Sequence, residues 1–268
     1  MLKGLFGGPK TFLAQEDEAW HVSVWAWLVE HLGGLKPVLE ASLVTPTTTF
    51  FPSTGSQGHD RALEVFEQVK ALSGLDHWPC ELVAQPERPD PVVSRFMVLQ
   101  NQEGALPLGT FGPDGNAVVV TYDPGLLQDP LGLVATLAHE LAHYLLSSIP
   151  VPPPGGEEME EFATDVAVAY MGFGVFGAAT SWRFKAHGDA FSQGWQTSGA
   201  GYLRQRDWAF ALATFLALRG EDAKLVKPWL EPALGEEVEK ALRSITRRPE
   251  LLDPVREADA RALAIAEA

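Results

Sequence analysis

Residues 129–148 read DPLGLVATLAHELAHYLLSS, and this stretch decides the reading of the chain. Asp129 is a preferred N-cap, and Pro130 suits the first position of a helix. Leu133, Leu137, Leu141, Tyr144 and Leu145 recur at helical spacing, and only Gly132 weakens the run. Pro150 and the run Pro152-Pro153-Pro154-Gly155-Gly156 then end the helix and turn the chain. Positions four apart share a helical face, so His139 and His143 aim two imidazoles at one point, as a zinc ion requires. Glu140 leaves the helix about 100° round from His139. It is therefore not expected as a ligand, but it lies within reach of a water at such a metal.

A second helix is expected directly after the Pro/Gly turn. Glu157, Glu158, Glu160 and Glu161 crowd its start, where the helix dipole favours acids. Glu157 and Glu158 read as a solvated helix start. Glu161-Phe162-Ala163-Thr164-Asp165 puts two carboxylates on one face, four residues apart. With two His supplied, a carboxylate is the natural third ligand of a Zn2+ site. Glu160 competes with Glu161 for that role. Glu161 is favoured because Asp165 stands four residues on, where it can accept the outer N–H of a ligand His; Glu160 has Thr164 there instead.

His139-Glu140-x-x-His143 followed by Glu161-x-x-x-Asp165 resembles the gluzincin branch of the zincin metallopeptidases, the thermolysin-like arrangement. The resemblance covers roughly residues 105–175, and the surrounding chain is similar to uncharacterised bacterial proteins that carry this core. It implies zinc held by His139, His143 and Glu161, with Glu140 as general base. It also implies an edge strand just before the first helix, holding the substrate. A downstream Tyr or His would stabilise the oxyanion, for which Tyr202 and His187 are the candidates. The Gly-x-x-His of the metzincin pattern is absent after His143.

The net charge of −15 disfavours nucleic acid and anionic membrane surfaces as partners. With 268 residues and 46% hydrophobic content the chain can bury a large core. A single Cys, Cys80, excludes an intramolecular disulfide and suits a reducing compartment. Residues 1–10 lack the apolar run of a secretory signal. Residues 166–180 form the most apolar run and are too short to span a bilayer. The protein is thus expected to be soluble and cytoplasmic.

Outward from the centre, helices are expected at about residues 17–32, 60–72, 202–219, 235–247 and 254–268. The last of these is Ala-rich and reads as a solvated or partner-binding tail. Strands are expected at 81–84 and 92–100, and as a hairpin of 106–111 with 117–122 around Gly112-Pro113-Asp114-Gly115-Asn116. The β-branched run 117–120 reads as covered on both faces, and as a strand to which an extended peptide could add. Residues after Gly177, with Trp182, Phe184, Phe191 and Trp195 among glycines, read as an ordered loop that walls the cleft. No phosphate-loop, dinucleotide or nucleophile-elbow motif is present.

The expected architecture is one α+β domain over residues 1–268, zincin-like and mostly helical. A small sheet places its edge strand beside the HExxH helix. The expected activity is zinc-dependent hydrolysis of an amide bond, with a peptide or protein as substrate. The alternatives are a zinc-containing regulatory or scaffold protein that binds a partner, and a hydrolase of non-peptide amides. The oligomeric state is not fixed by sequence.

Overall fold

The computed structural model describes residues 11–86, 109–114, 117–185 and 203–266. In chain order the elements are α1 (Gln15–His31), α2 (Lys36–Glu40), α3 (Gly58–Leu72), β1 (Cys80–Ala84), β2 (Gly109–Asp114) and β3 (Ala117–Tyr122). There follow α4 (Pro130–Leu146), α5 (Glu160–Tyr170), α6 (Gly174–Lys185), α7 (Gln205–Arg219), α8 (Pro232–Thr246) and α9 (Asp253–Ala266). The fold is α+β, mostly helical with a small sheet.

Helix α1 starts with Glu16, Asp17 and Glu18 and ends with His31, charges that suit the helix dipole at each end. It is enclosed on more than one side: Val22, Val24, Trp25, Leu28 and Val29 are all buried. α9 lies along it and α5 also contacts it. The C-terminal segment is therefore not a tail. Val255 and Ala258 of α9 are fully buried, and Asp259 accepts the Leu35 N–H at 2.7 Å. Small Ala side chains let α9 approach α1 closely, which a reading of composition alone mistakes for solvation.

The sheet runs β1-β3-β2, with β1 parallel and β2 antiparallel to β3. β3, the strand that leads into α4, is thus central, and no peptide can add to it. Among the described residues β2 is an outer strand of this sheet, and it is β2 that lies against α4 together with β3. The antiparallel pairing continues to Asp114 opposite Ala117, so β2 passes through Gly112 and Pro113. β3 is not covered on both faces throughout: Val120 and Tyr122 are buried while Val118, Val119 and Thr121 are half-exposed. The strand expected at 92–100 lies outside the described residues.

A short 3-10 turn, Pro124–Gln128, joins β3 to α4, and Asp123 caps it by accepting the Gly125 N–H at 2.8 Å. Asp129 occupies the N-cap position of α4 without a side-chain capping bond. After α4 the chain turns at Gly155 and Gly156, whose φ of 94° and 84° are left-handed values that glycine adopts without strain. Trp20 of α1 donates its indole N–H to Pro154 O at 2.9 Å and pins this turn. α5 is thereby set against α4.

Residues 174–185 are helical rather than loop. Gly177 lies inside α6, where a Cβ would overlap the Trp208 ring of α7. Its role is close helix packing, not chain reversal. One continuous cluster of buried side chains extends from Phe12 to Ala258. No helix among the described residues is long and apolar enough to cross a membrane.

Candidate metal centre

The last turns of α4 and the first turn of α5 meet over His139, His143 and Glu161, which are able to hold a metal ion. His139 Nε2 and His143 Nε2 are 3.1 Å apart. Glu161 faces both rings, with Oε2 3.3 Å from His139 Nε2 and Oε1 3.4 Å from His143 Nε2. A tetrahedral zinc with bonds near 2.0–2.1 Å has ligand-to-ligand edges of about 3.3–3.4 Å. The two Nε2 atoms and the Glu161 oxygen nearest each of them have separations of that order, and one ligand atom from each residue lies within 4.8 Å of the others.

The outer hydrogen bonds fix where the imidazole protons lie. Thr164 donates its hydroxyl to Glu160 O at 2.9 Å. Its oxygen is left to accept from His143 Nδ1 at 3.3 Å. Asp165 accepts the Leu203 N–H on Oδ2 at 2.9 Å and lies 3.1 Å from His139 Nδ1 through Oδ1. Each ring thus turns Nδ1 towards an outer oxygen and Nε2 inward. Two inward nitrogens and a carboxylate converge, an arrangement suited to positive charge between them.

Charge shifts follow from this crowding. Burial disfavours a charged His139, but hydrogen bonds to Asp165 and Glu161 outweigh it and push its pKa up to about 10. Burial also opposes ionisation of Glu161, yet hydrogen bonds with His139 and His143 hold it far below the usual carboxylate range. Burial raises Asp165, opposed by its bonds to His139 and to the Leu203 N–H. In the metal-free site His139 accordingly keeps a second proton at neutral pH, which an incoming cation must displace. Zinc uptake at pH 7.5 is expected to release about one proton per ion bound, and zinc affinity should rise with pH up to about 10. Calorimetric titration in buffers of different ionisation enthalpy measures this, and uptake without proton release would remove His139 from the ligand set.

Glu140 is buried beside the two rings without belonging to the donor group. Burial raises its carboxyl above the usual range, while His139 and His143 pull it back. Glu160, the competing carboxylate, is exposed at the surface. His139 and His143 expose 12% and 16% of their side chains, against 46% for Glu161, which makes Glu161 the outer side of the group. Tyr202 and His187 lie outside the described residues. Cys80 is half-buried, and burial pushes its thiol up, which disfavours the thiolate.

The structure thus brings together His139, Glu140, His143, Glu161 and Asp165. Two participants are not singled out by sequence. Thr164 holds the second ring; its signal was that each ligand His needs its own outer acceptor and α5 offers one polar neighbour beside Asp165. Leu203 contributes only its backbone N–H, from 38 residues beyond Asp165, and leaves no sequence signal. Thr164→Val keeps the shape and removes the acceptor, so it should weaken zinc about 10-fold. Competition against a chromophoric chelator measures the change, and unaltered affinity would make Thr164 an ordinary core residue.

No protein-family model matches this chain, and neither a curated protein nor a solved structure matches it.

Proposed function

We propose that the protein is a zinc-dependent hydrolase of peptide bonds, with a gluzincin-like centre of His139, His143 and Glu161. The observation that carries the reading is the convergence of His139, His143 and Glu161, with 3.1 Å between the two Nε2 atoms, a Glu161 oxygen 3.3 or 3.4 Å from each, and each Nδ1 facing an outer oxygen. When bound, zinc polarises the scissile carbonyl and makes water a nucleophile near neutral pH.

Each side chain then has a defined task. His139 and His143 present Nε2, steadied by Asp165 and Thr164. Glu161 supplies the anionic ligand. Glu140 is the remaining buried carboxylate at the site, and its raised pKa suits a group that must take a proton and return it. It would accept the proton of the attacking water and pass it to the leaving amine. A purely structural centre has no use for a buried carboxylate beside the ligands, which favours hydrolysis over a scaffold role.

Elemental analysis of protein purified without chelator should find about one zinc per chain. A mixed peptide library, read by mass spectrometry, then tests turnover. Protein that stays metal-free after zinc addition removes the central claim. A zinc-loaded protein that cleaves nothing in the library moves the binding-protein reading ahead.

A further inference from the structure

Both oxygens of the Asp165 carboxylate are engaged, Oδ1 by the His139 ring and Oδ2 by the Leu203 N–H. Asp165 is 3% exposed, so water does not readily replace a lost partner. A carboxylate that orients a ring with one oxygen is itself oriented only if the other is held. The orientation of His139 therefore depends on where the chain places Leu203, one residue before the N-cap of α7.

That placement has a visible cause. The start of α7 has no side-chain cap. Instead Arg204, bonded directly to Leu203, donates from Nε to Asp207 Oδ2 at 2.8 Å, within the first turn of α7. Its Nη2 reaches Asp17 Oδ2 of α1 at 3.4 Å. Asp207 is buried, with Oδ1 3.5 Å from the buried His21 of α1. The guanidinium thus ties the first turn of α7 to α1, which also contacts α5, the helix that carries Glu161 and Asp165.

We propose that Arg204 is a positioning residue of the metal centre. It holds the start of α7 against α1 so that the Leu203 N–H fixes Asp165 and, through it, His139. The inference rests on the metal reading above, and it assigns a function at that site to a partly exposed side chain which touches no ligand.

The route through Asp165 makes it testable. Zinc affinity is measured by chelator competition for wild type, Arg204→Ala, Arg204→Lys, Asp165→Ala and the double variant Asp165→Ala/Arg204→Ala. Thermal melts of the metal-free proteins report folding separately. Arg204→Ala is expected to weaken zinc about 3–10-fold, less than the roughly 10–100-fold of Asp165→Ala. Arg204→Lys, which keeps a donor and the charge, should restore most of the loss. In the Asp165→Ala background, removing Arg204 should change affinity less than about 2-fold, because the path is already cut. Amide exchange at Leu203 in the metal-free protein should quicken in Arg204→Ala. Unchanged zinc affinity in Arg204→Ala, or an equal loss with and without Asp165, would overturn this inference alone. A wild type that takes up no zinc would overturn the metal reading itself.

Discussion

Glu140→Gln is expected to keep the zinc and the fold while abolishing peptide hydrolysis. The substitution is nearly isosteric, and Glu140 stands outside the donor group, so its loss should not loosen the metal. An amide cannot accept the proton of the attacking water or return it to the amine. Losing the general base should cost at least about 10²–10⁴-fold in kcat. Because Glu140 is buried and its carboxyl raised, replacing it with a neutral amide relieves a desolvated acid, and metal-free stability should be equal or higher. The assay pairs zinc content with cleavage of the mixed peptide library. A Gln variant that cleaves as fast as wild type would refute the hydrolytic mechanism even if zinc is present.

Glu161→Ala should have the second large effect, this time on the metal. Glu161 faces both Nε2 atoms, at 3.3 and 3.4 Å, and is the proposed anionic ligand. Removing it takes away a ligand rather than a support. The loss of zinc affinity should exceed the roughly 10–100-fold expected for an outer partner such as Asp165. Glu160→Ala is the matched control, one residue away on the same turn and exposed. It should bind zinc within about 2-fold of wild type, because its side chain is a solvated charge. The reverse order of the two variants would reassign the ligand to Glu160.

Particular residues show how far the sequence reached. His139 and His143 were legible because an i, i+4 pair on a helix is a local fact, set by 3.6 residues per turn. Glu161 and Asp165 were legible for the same reason once a second helix was inferred from the Pro/Gly turn and the acidic start. The helix bounds around them follow from capping and breaking residues, which also act within a few positions. The α+β class and the helical majority followed from hydrophobic periodicity together with turn and breaker residues and the stated resemblance.

Where the reading missed, the deciding contact was distant in sequence. The run 117–120 has the composition of a strand, but nothing within it says whether one or two neighbours will pair with it. That β3 is central follows from β1 pairing across more than thirty residues. Gly177 resembles a turn glycine until Trp208 is laid on it across α6 and α7. The alanines of α9 resemble a tail until α1 covers them.

What the sequence determined by itself was thus the direction of side chains along each helix, and with it the donor types and their shared faces. Only the tertiary structure decided which faces meet. It set α4 against α5 so that His139, His143 and Glu161 converge, gave Thr164 to His143, and brought Leu203 to Asp165. The reason is physical. Helical periodicity is written in each residue's own backbone geometry, whereas closing a loop of tens of residues depends on the packing of the whole core.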